Sequence, residues 1–414
     1  MPALSQALKM RKFNPGITDV LYYMIQGGSI DSVGVLDVTD IDAPIFVISS
    51  SFGQKSSRDL RADFTGNSYG PLFSGVYTFT SVLYHSAQPS TTGEKSMVVY
   101  DASDISGAVL TTAVNGRYDD ATGLFDVEYF DIDVSRQYLF GTVSSSANDY
   151  IFAMETWGTA TAGISTTEGM IASDILDTLD LPLSALAARS AFDCSYDPDA
   201  RVLYVVAEHD SGLSSGDVIA VNCATATSLS ITGTYGNSYT NAQARSCRVL
   251  PATDNPYSSN TWLYVGTDAN YLVKVNANSP GAMAQQSAVN IGVDIDYIFV
   301  PDETFNYIYV CGGGTVASIG NAKSNASVTV ASSLTIAGAT HLTGIGSTTL
   351  AEYGARYLFL TDRVQDKIYV VSVSGSGTLA LYATWDYLAI PSSTGSTSTS
   401  RMNGPRRAIY QNLV

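Results

Sequence analysis

The side chains best suited to chemistry in this sequence are carboxylates that gather in short apolar segments. Paired carboxylates can act as general acid and general base, and a ring of them can bind a cation. The acids in these segments are Asp126, Glu128, Asp131, Asp133, Asp193, Asp197, Asp294 and Asp296. From them, the predicted ligand or cation site consists of Asp126, Glu128, Asp193, Asp294 and Asp296. No residue is assigned a catalytic role, and the competing interpretation is a solvated lining whose charge is balanced by Arg248, Arg406 and Arg407.

Compact catalytic motifs are absent from the sequence, which has no nucleophile elbow, zinc-protease motif, phosphate loop or dinucleotide fingerprint. His85, His209 and His341 lie far apart, as is typical of ordinary strand-end residues rather than of metal ligands. The triple glycine at 312–314 follows an apolar run but precedes no helix, so it predicts a hairpin turn. These patterns predict no cofactor and no metal centre.

Asp37 and Asp101 each end an apolar run and are followed by a second acid, at Asp40 and Asp104. A carboxylate at such a position can accept backbone N–H hydrogen bonds and thereby stabilise the turn. Turn stabilisation is the main interpretation, and a structural Ca²⁺ bound by either acid pair is the alternative.

The elements that must position these residues form a two-part repeat. The first part is a short aromatic or β-branched run, at 21–23, 82–84, 138–140, 202–205, 262–265, 307–310 and 357–360. The second part follows a turn and alternates apolar with small or polar residues, at 33–37, 97–101, 151–155, 218–222, 272–276, 316–320 and 368–372. Such periodicity is the signature of a propeller or another array.

Further apolar runs flank most of the units. Upstream runs lie at 72–79, 124–132, 191–196, 246–250, 293–300 and 341–346. Downstream runs lie at 43–51, 108–114, 228–235, 327–336 and 378–385. Four short strands joined by turns predict a four-stranded antiparallel blade. Only 170–189 departs from this pattern, and it predicts one or two helical turns.

The first unit has no upstream run, whereas the chain ends with a strand-like segment at 404–410 that has nothing after it. Pairing the two would close the ring and remove an exposed sheet edge. We therefore predict an all-β fold, a single β-propeller of about seven four-stranded antiparallel blades closed by the C-terminal strand. Its parts are an N-terminal arm at 1–18 and a propeller at 19–414, in which 404–411 complete the first blade and 387–403 form a Ser/Thr-rich connector.

The segments VGVLDVTDIDAPIFVISSSF at 33–52 and MVVYDASDISGAVLTTAV at 97–114 resemble the LVIVD repeat, which runs roughly LVIVDVSDPSNPVLVGSY. Later units keep the hydrophobic rhythm, but Asn222, Asn276 and Ser372 replace the leading aspartate. The resemblance implies a propeller of the kind found in bacterial and archaeal surface proteins. It implies a fold much more than a function.

Composition restricts the class of partner. The formal net charge of −17 and the low charged fraction of 14% disfavour nucleic acid and anionic membranes as partners. The first twenty residues lack a signal-peptide core, and no apolar stretch is long enough to span a membrane. Cys194, Cys223, Cys247 and Cys311 show no metal spacing and are interpreted as buried free thiols. We therefore expect synthesis in the cytoplasm.

The main functional hypothesis is a non-catalytic structural or protein-interaction propeller, in the form of a tail, spike or decoration subunit of a phage or virus particle. It predicts other protein subunits as partners, in an oligomer or a large assembly. The first alternative is a carboxylate- or cation-dependent hydrolase or lyase acting on sugars or lactones at the mouth of the propeller channel. The second alternative is a surface adhesin.

Overall fold

A computed structural model describes most of the repeat units. The described residues are 17–25, 32–51, 57–63, 82–87, 97–101, 111–114, 119–120, 123–124, 126–136, 138–144, 149–155, 175–180, 191–207, 217–236, 243–301, 305–348, 356–386 and 405–412. Over these residues the chain is all β, apart from a single 3₁₀ turn at Pro280–Ala282. No helix in the described part of the chain could cross a membrane.

Seven four-stranded antiparallel sheets form the blades of a propeller. The first blade contains β1 (Asp19–Ile25), β2 (Ser32–Asp37), β3 (Ile45–Ser51) and β30 (Arg406–Asn412). The second contains β4 (Ser57–Asp63), β5 (Val82–Ala87), β6 (Met97–Asp101) and β7 (Thr111–Val114). A short hairpin, β8 (Asp119–Asp120) with β9 (Gly123–Leu124), precedes the third blade.

The remaining blades each use four consecutive strands. The third contains β10 (Asp126–Asp133), β11 (Tyr138–Ser144), β12 (Asp149–Glu155) and β13 (Ile175–Asp180). The fourth contains β14 (Ala191–Asp197), β15 (Val202–Ala207), β16 (Asp217–Asn222) and β17 (Ser230–Gly236). The fifth contains β18 (Ala244–Leu250), β19 (Trp262–Thr267), β20 (Tyr271–Asn276) and β21 (Ala284–Asn290). The sixth contains β22 (Tyr297–Phe299), β23 (Tyr307–Gly312), β24 (Thr315–Gly320) and β25 (Thr329–Thr335). The seventh contains β26 (Leu342–Ser347), β27 (Arg356–Asp362), β28 (Lys367–Val373) and β29 (Leu379–Asp386).

The C-terminal strand closes the ring, as the sequence predicts. β30 pairs with β1 in antiparallel register, with Tyr410 opposite Leu21 and Ala408 opposite Tyr23. The innermost strands β30, β4, β10, β14, β18, β22 and β26 each contact the next, and β26 contacts β30. These strands surround a central channel, and the pairing of β30 with β1 closes the ring by joining the two ends of the chain in one blade.

The core lies between the blades, and the strand period of two explains how one strand supplies two interfaces. On β1, Val20, Tyr22 and Met24 pack with Leu60 and Leu83 of the second blade. The alternate residues of β1 are buried against the seventh blade in a cluster that contains Leu21, Tyr23, Ile25, Phe359, Ile368 and Trp385. Successive side chains of a strand point to opposite faces, so apolar runs on the second strands fit a sheet covered on both sides.

Two strand assignments made from the sequence are wrong. The inner strand of the second blade is β4, which precedes the predicted upstream run at 72–79, and that run lies outside the described residues. The predicted helical turns at 170–189 include β13, which completes the third blade by pairing with β12. In both cases the edge of a neighbouring strand supplies backbone partners that local composition does not reveal.

Several local predictions are confirmed. All four cysteines are buried and free. Gly313 and Gly314 form the turn between β23 and β24, and Gly313 has a φ of 50°. Asp37 Oδ1 accepts a hydrogen bond from the backbone N–H of Thr39 at 3.0 Å, which stabilises the turn after β2.

Candidate functional site

Six of the inner strands carry a register irregularity near their first residues, where an extra residue interrupts the ladder with the second strand. A bulge of this kind breaks the alternation of side chains and changes the direction in which one of them points. The residues at five of these irregularities line a cavity at the start of the channel, and they are Tyr129, Phe192, Arg245, Thr343 and Arg407. The bulges therefore build the wall of this cavity.

This cavity, here called the mouth cavity, has a volume of about 260 Å³. Its other lining residues are Met24, Asp296, His341, Arg363 and Arg406. Among the described lining residues there are thus four arginines and one carboxylate, in a protein whose formal net charge is −17. Such a concentration of positive charge in a cleft attracts anionic molecules.

Asp296 belongs to the loop that leads into β22. Its backbone N–H donates to the carbonyl of Cys311 at 3.0 Å, so the loop is tied to the edge of β23. A Cβ atom on Gly312 would lie 1.7 Å from the carbonyl oxygen of Asp294. Only glycine allows this close approach, which places Asp296 at the wall of the cavity.

His341 faces Asp296 from the opposite side, with 3.6 Å between His341 Nε2 and Asp296 Oδ2. Asp362 positions this part of the chain, because its Oδ2 accepts the backbone N–H groups of Thr340 and His341 at 2.7 Å and 3.3 Å. The backbone N–H of Arg363 in turn donates to the carbonyl of His341 at 3.2 Å. A buried carboxylate on β27 therefore orients two of the residues that line the mouth cavity.

The environment of the cavity moves both titratable groups towards neutrality. Burial raises the pKa of Asp296 to about 6, although Arg245 and Arg363 oppose the shift. Burial lowers the pKa of His341, and the nearby Arg363 and Arg406 lower it further. At pH 7 the cavity thus contains an ionised Asp296 and a neutral His341. A carboxylate whose pKa lies this close to neutrality is suited to act as a general base.

Deeper in the channel lies a second group of charges, here called the central ion cluster. It consists of Asp59, Arg61, Asp131, Asp193, Arg248 and Arg407. These six residues come from five blades, and their formal charges sum to zero. Tyr297 of the sixth blade adds an aromatic face, 5.1 Å from the guanidinium carbon of Arg248. The cluster therefore joins six blades at the axis of the propeller.

Asp193 is the best-compensated carboxylate of the central ion cluster. It lies 3.0 Å from Arg248, 3.3 Å from Arg407 and 3.8 Å from Arg61. The backbone N–H of Cys247 also donates to its Oδ2 at 3.2 Å. Burial alone would raise the pKa of Asp193, but Arg248, Arg407 and Arg61 outweigh it and hold the pKa below its ordinary value.

A second cavity, of about 460 Å³, opens on the opposite side of the central ion cluster, where the inner strands end. Its lining combines polar side chains with apolar ones, which include Ile132, Val134, Val249, Leu250 and Val300. Arg61 and Asp131 of the central ion cluster also line it, whereas Arg407 lines the mouth cavity. The cluster therefore lies between two cavities at opposite ends of the channel.

The five predicted site residues do not form one site. Asp296 lines the mouth cavity, whereas Asp193 lies in the central ion cluster and its ion pairs occupy its carboxylate. Asp294 is exposed on the loop before Asp296. Glu128 is buried beside the irregularity in β10, and Asp126 begins the same strand opposite Ser144. In the described part of the chain, no three His, Cys, Asp or Glu side chains are grouped so that they could hold a metal ion.

The arginines and His341 were not predicted as site residues. From the sequence, the arginines were interpreted only as counter-charges and His341 as an ordinary strand-end residue, although its side chain lines the mouth cavity. One signal was available, because Arg58 and Arg61 in one inner strand share their three-residue spacing with Arg245 and Arg248 in another. In a chain with only 21 basic residues, such a recurrence points to the channel.

No family model matches the chain, and no curated protein matches it. Three solved structures are similar over nearly its whole length. A Bacteroides fragilis protein provisionally assigned as a 6-phosphogluconolactonase has a TM-score of 0.64 at 11% identity, covering 97% of this chain and 99% of its own. The periplasmic gluconolactonase of Pseudomonas aeruginosa has a TM-score of 0.58 at 11% identity, covering 95% and 100%. A functionally unknown protein from Desulfotomaculum acetoxidans has a TM-score of 0.60 at 11% identity, covering 92% and 97%.

At this identity the similarities establish the propeller fold. They also correct the main functional prediction, that of a non-catalytic structural subunit of a virus or phage particle. Two of these similar propellers have names that carry a lactonase activity, so the hydrolase alternative fits the comparisons better than the structural role does. The LVIVD resemblance, the oligomeric partners and the structural Ca²⁺ stay predictions.

Proposed function

We propose that this protein is a hydrolase that opens a sugar lactone, a cyclic ester of a sugar acid, in the mouth cavity. The observation that carries the proposal is Asp296, a carboxylate with a pKa of about 6 inside a cavity lined by four arginines. The names of the two lactonases with the same fold supply the substrate class. Fold likeness alone does not assign a reaction, so the support for the chemistry comes from the residues of the cavity.

The reaction needs a base for water and positive charge near the ester carbonyl. Ionised Asp296 takes a proton from a water molecule as the water oxygen bonds to the carbonyl carbon. Negative charge then develops on the carbonyl oxygen, and the guanidinium groups of the cavity stabilise it. Collapse of this intermediate breaks the bond to the ring oxygen. The ring oxygen takes up the proton, and the product is the open hydroxy acid.

The surrounding residues keep Asp296 reactive. Arg245 approaches Asp268 at 3.7 Å, and its guanidinium carbon lies 4.9 Å from the ring centroid of Phe192. It therefore contributes positive charge to the cavity without an ion pair to Asp296. His341 is neutral at pH 7 and lies 3.6 Å from Asp296, where it can orient the carboxylate or the same water. Arg363 and Arg406, which line the same cavity, favour lactones that carry an anionic group.

The test is hydrolysis of D-glucono-δ-lactone and of its 6-phosphate, measured by proton release above the spontaneous rate. The change Asp296→Asn removes the base and is expected to lower kcat by roughly 10²- to 10⁴-fold. Asp294→Asn is the matched control, since that acid is exposed two residues away, and it should leave kcat within about twofold. For the wild-type protein, kcat/KM should rise with pH through about 6, because Asp296 loses its proton there.

Two results would contradict the proposal. One is a wild-type protein that accelerates hydrolysis of neither lactone. The other is an Asp296→Asn protein that is as active as the Asp294→Asn control, since the base would then lie elsewhere.

A further inference from the structure

Arg407 of the mouth cavity is fixed by contacts on several sides. Its Nε lies 3.2 Å from Asp59 Oδ1, and its Nη2 lies 3.3 Å from Asp193 Oδ1. Its guanidinium carbon lies 4.6 Å from the ring centroid of Tyr297 and 5.9 Å from that of Tyr129. Only 8% of the side chain is exposed. The direction of its remaining N–H groups is therefore set before any ligand arrives.

The third nitrogen of this guanidinium group has no acceptor among the described residues. Within this part of the chain, Arg407 Nη1 is buried and makes no hydrogen bond, and the same holds for Thr343 Oγ1. Both residues line the mouth cavity, and their strands β30 and β26 are in contact. Buried polar atoms are nearly always paired, so two unpaired ones on one cavity wall indicate a place for a ligand oxygen.

The backbone supports the same conclusion. Arg407 has a φ of 39°, a left-handed conformation that is unfavourable for a residue with a side chain. It occupies the bulge in β30, and a Cβ on Gly344 would lie 2.6 Å from the Cα of Arg407. Strain of this kind persists only where the surrounding structure maintains it, and it is common at ligand sites.

We infer that Arg407 Nη1 is the preorganised hydrogen-bond donor of the mouth cavity for the oxygen of the lactone carbonyl. A donor that is already oriented stabilises the charge developing on this oxygen without having to reorganise. After hydrolysis the same oxygen belongs to the product carboxylate, so Arg407 also binds the product. The inference rests on the proposed function for the identity of this oxygen, whereas carboxylate binding can be measured without catalysis.

The test measures binding of gluconate, 6-phosphogluconate and glucitol to the wild-type and Arg407→Lys proteins by isothermal titration calorimetry. Lysine keeps the positive charge next to Asp59 and Asp193 but lacks the Nη1 donor. We expect Arg407→Lys to weaken gluconate and 6-phosphogluconate by the same factor, roughly 10- to 100-fold. Neutral glucitol, which has no carboxylate, should bind equally to both proteins.

Arg248→Lys is the matched control. Arg248 also pairs with Asp193 and also has an unpaired Nη2, but it does not line the mouth cavity. It should therefore leave gluconate affinity unchanged. The inference is overturned if the two variants lose gluconate affinity equally, or if Arg407→Lys weakens only 6-phosphogluconate. It is also overturned if the wild-type protein does not bind gluconate.

A crystal structure of the wild-type protein with gluconate tests the same contact if Arg407→Lys does not fold. A carboxylate oxygen within about 3.2 Å of Arg407 Nη1 supports the inference, and a carboxylate placed elsewhere overturns it. If the protein binds gluconate through Arg407 but has no lactonase activity, the proposed function is rejected and this inference is retained.

Discussion

The central ion cluster and the mouth cavity use the same two residue types along one channel, yet they treat the carboxylate in opposite ways. Asp193 has three arginines within 3.8 Å, and its pKa lies below the ordinary value. Asp296 has arginines on the cavity wall but no ion pair with any of them among the described residues, and its pKa is raised to about 6. Contact geometry, rather than the number of arginines nearby, separates the two carboxylates.

This contrast separates a structural role from a chemical one. A buried carboxylate that is fully paired is locked in its ionised form and joins elements together. A carboxylate that is desolvated without an ion pair to an arginine is less stable as an anion and accepts a proton more readily. Substitutions at Asp193 and at Asp296 each remove one side of this contrast.

The largest effect is expected from Asp193→Asn. The change removes the charge that compensates Arg248 and Arg407, both of which are largely buried. Removing one partner of a buried ion pair typically costs about 3–5 kcal/mol of stability. We expect a loss of this size in the free energy of unfolding, measured by urea denaturation at pH 7.5.

Asp131→Asn provides a graded control for this measurement. Its carboxylate is 26% exposed and lies 3.7 Å from Arg61, so the loss should be clearly smaller than for Asp193→Asn. If both variants were as stable as the wild-type protein, the central ion cluster would not hold the blades together.

A smaller effect of opposite sign is expected from Asp296→Asn. The pKa of Asp296 is raised in the folded state, so its ionisation reduces stability as the pH rises from about 4 to above 6. The amide cannot ionise, so at pH 7.5 the variant should be more stable than the wild-type protein by about 1–3 kcal/mol. Urea denaturation across pH values should show this advantage shrinking towards pH 4.5.

An advantage that did not change with pH would mean that packing, rather than charge, explains the gain in stability. A loss of stability at pH 7.5 would show that Asp296 makes favourable contacts as an anion, as Asp193 does. In that case the mouth cavity and the central ion cluster would not differ in how they stabilise a carboxylate anion.

The fold could be predicted from the sequence because its determinants are local and repeated. The apolar alternation in 97–101 and 368–372, together with the aromatic runs before them, predicts the second and third strands of their blades. Inner and outer strands were harder to assign, because β4 is polar and β13 is rich in acids. Their positions depend on pairing with a neighbour.

The site could be predicted only in part, because its geometry arises between blades. The sequence placed Asp296 in a channel-lining segment but could not separate it from Asp193, since no local pattern shows which acid meets an arginine. The bulge that directs Arg407 into the mouth cavity depends on its register with β1 and its contact with Gly344. Neither can be deduced from the run GPRRAIY at 404–410.

The most direct test of the central claim is a pH titration of the side-chain carboxyl ¹³C signals of Asp296 and Asp193, assigned with the two asparagine variants. The account predicts that Asp296 titrates with a midpoint near 6, whereas the pKa of Asp193 lies below that of an ordinary aspartate. An Asp296 midpoint near that of an ordinary aspartate, about 4, would contradict the account.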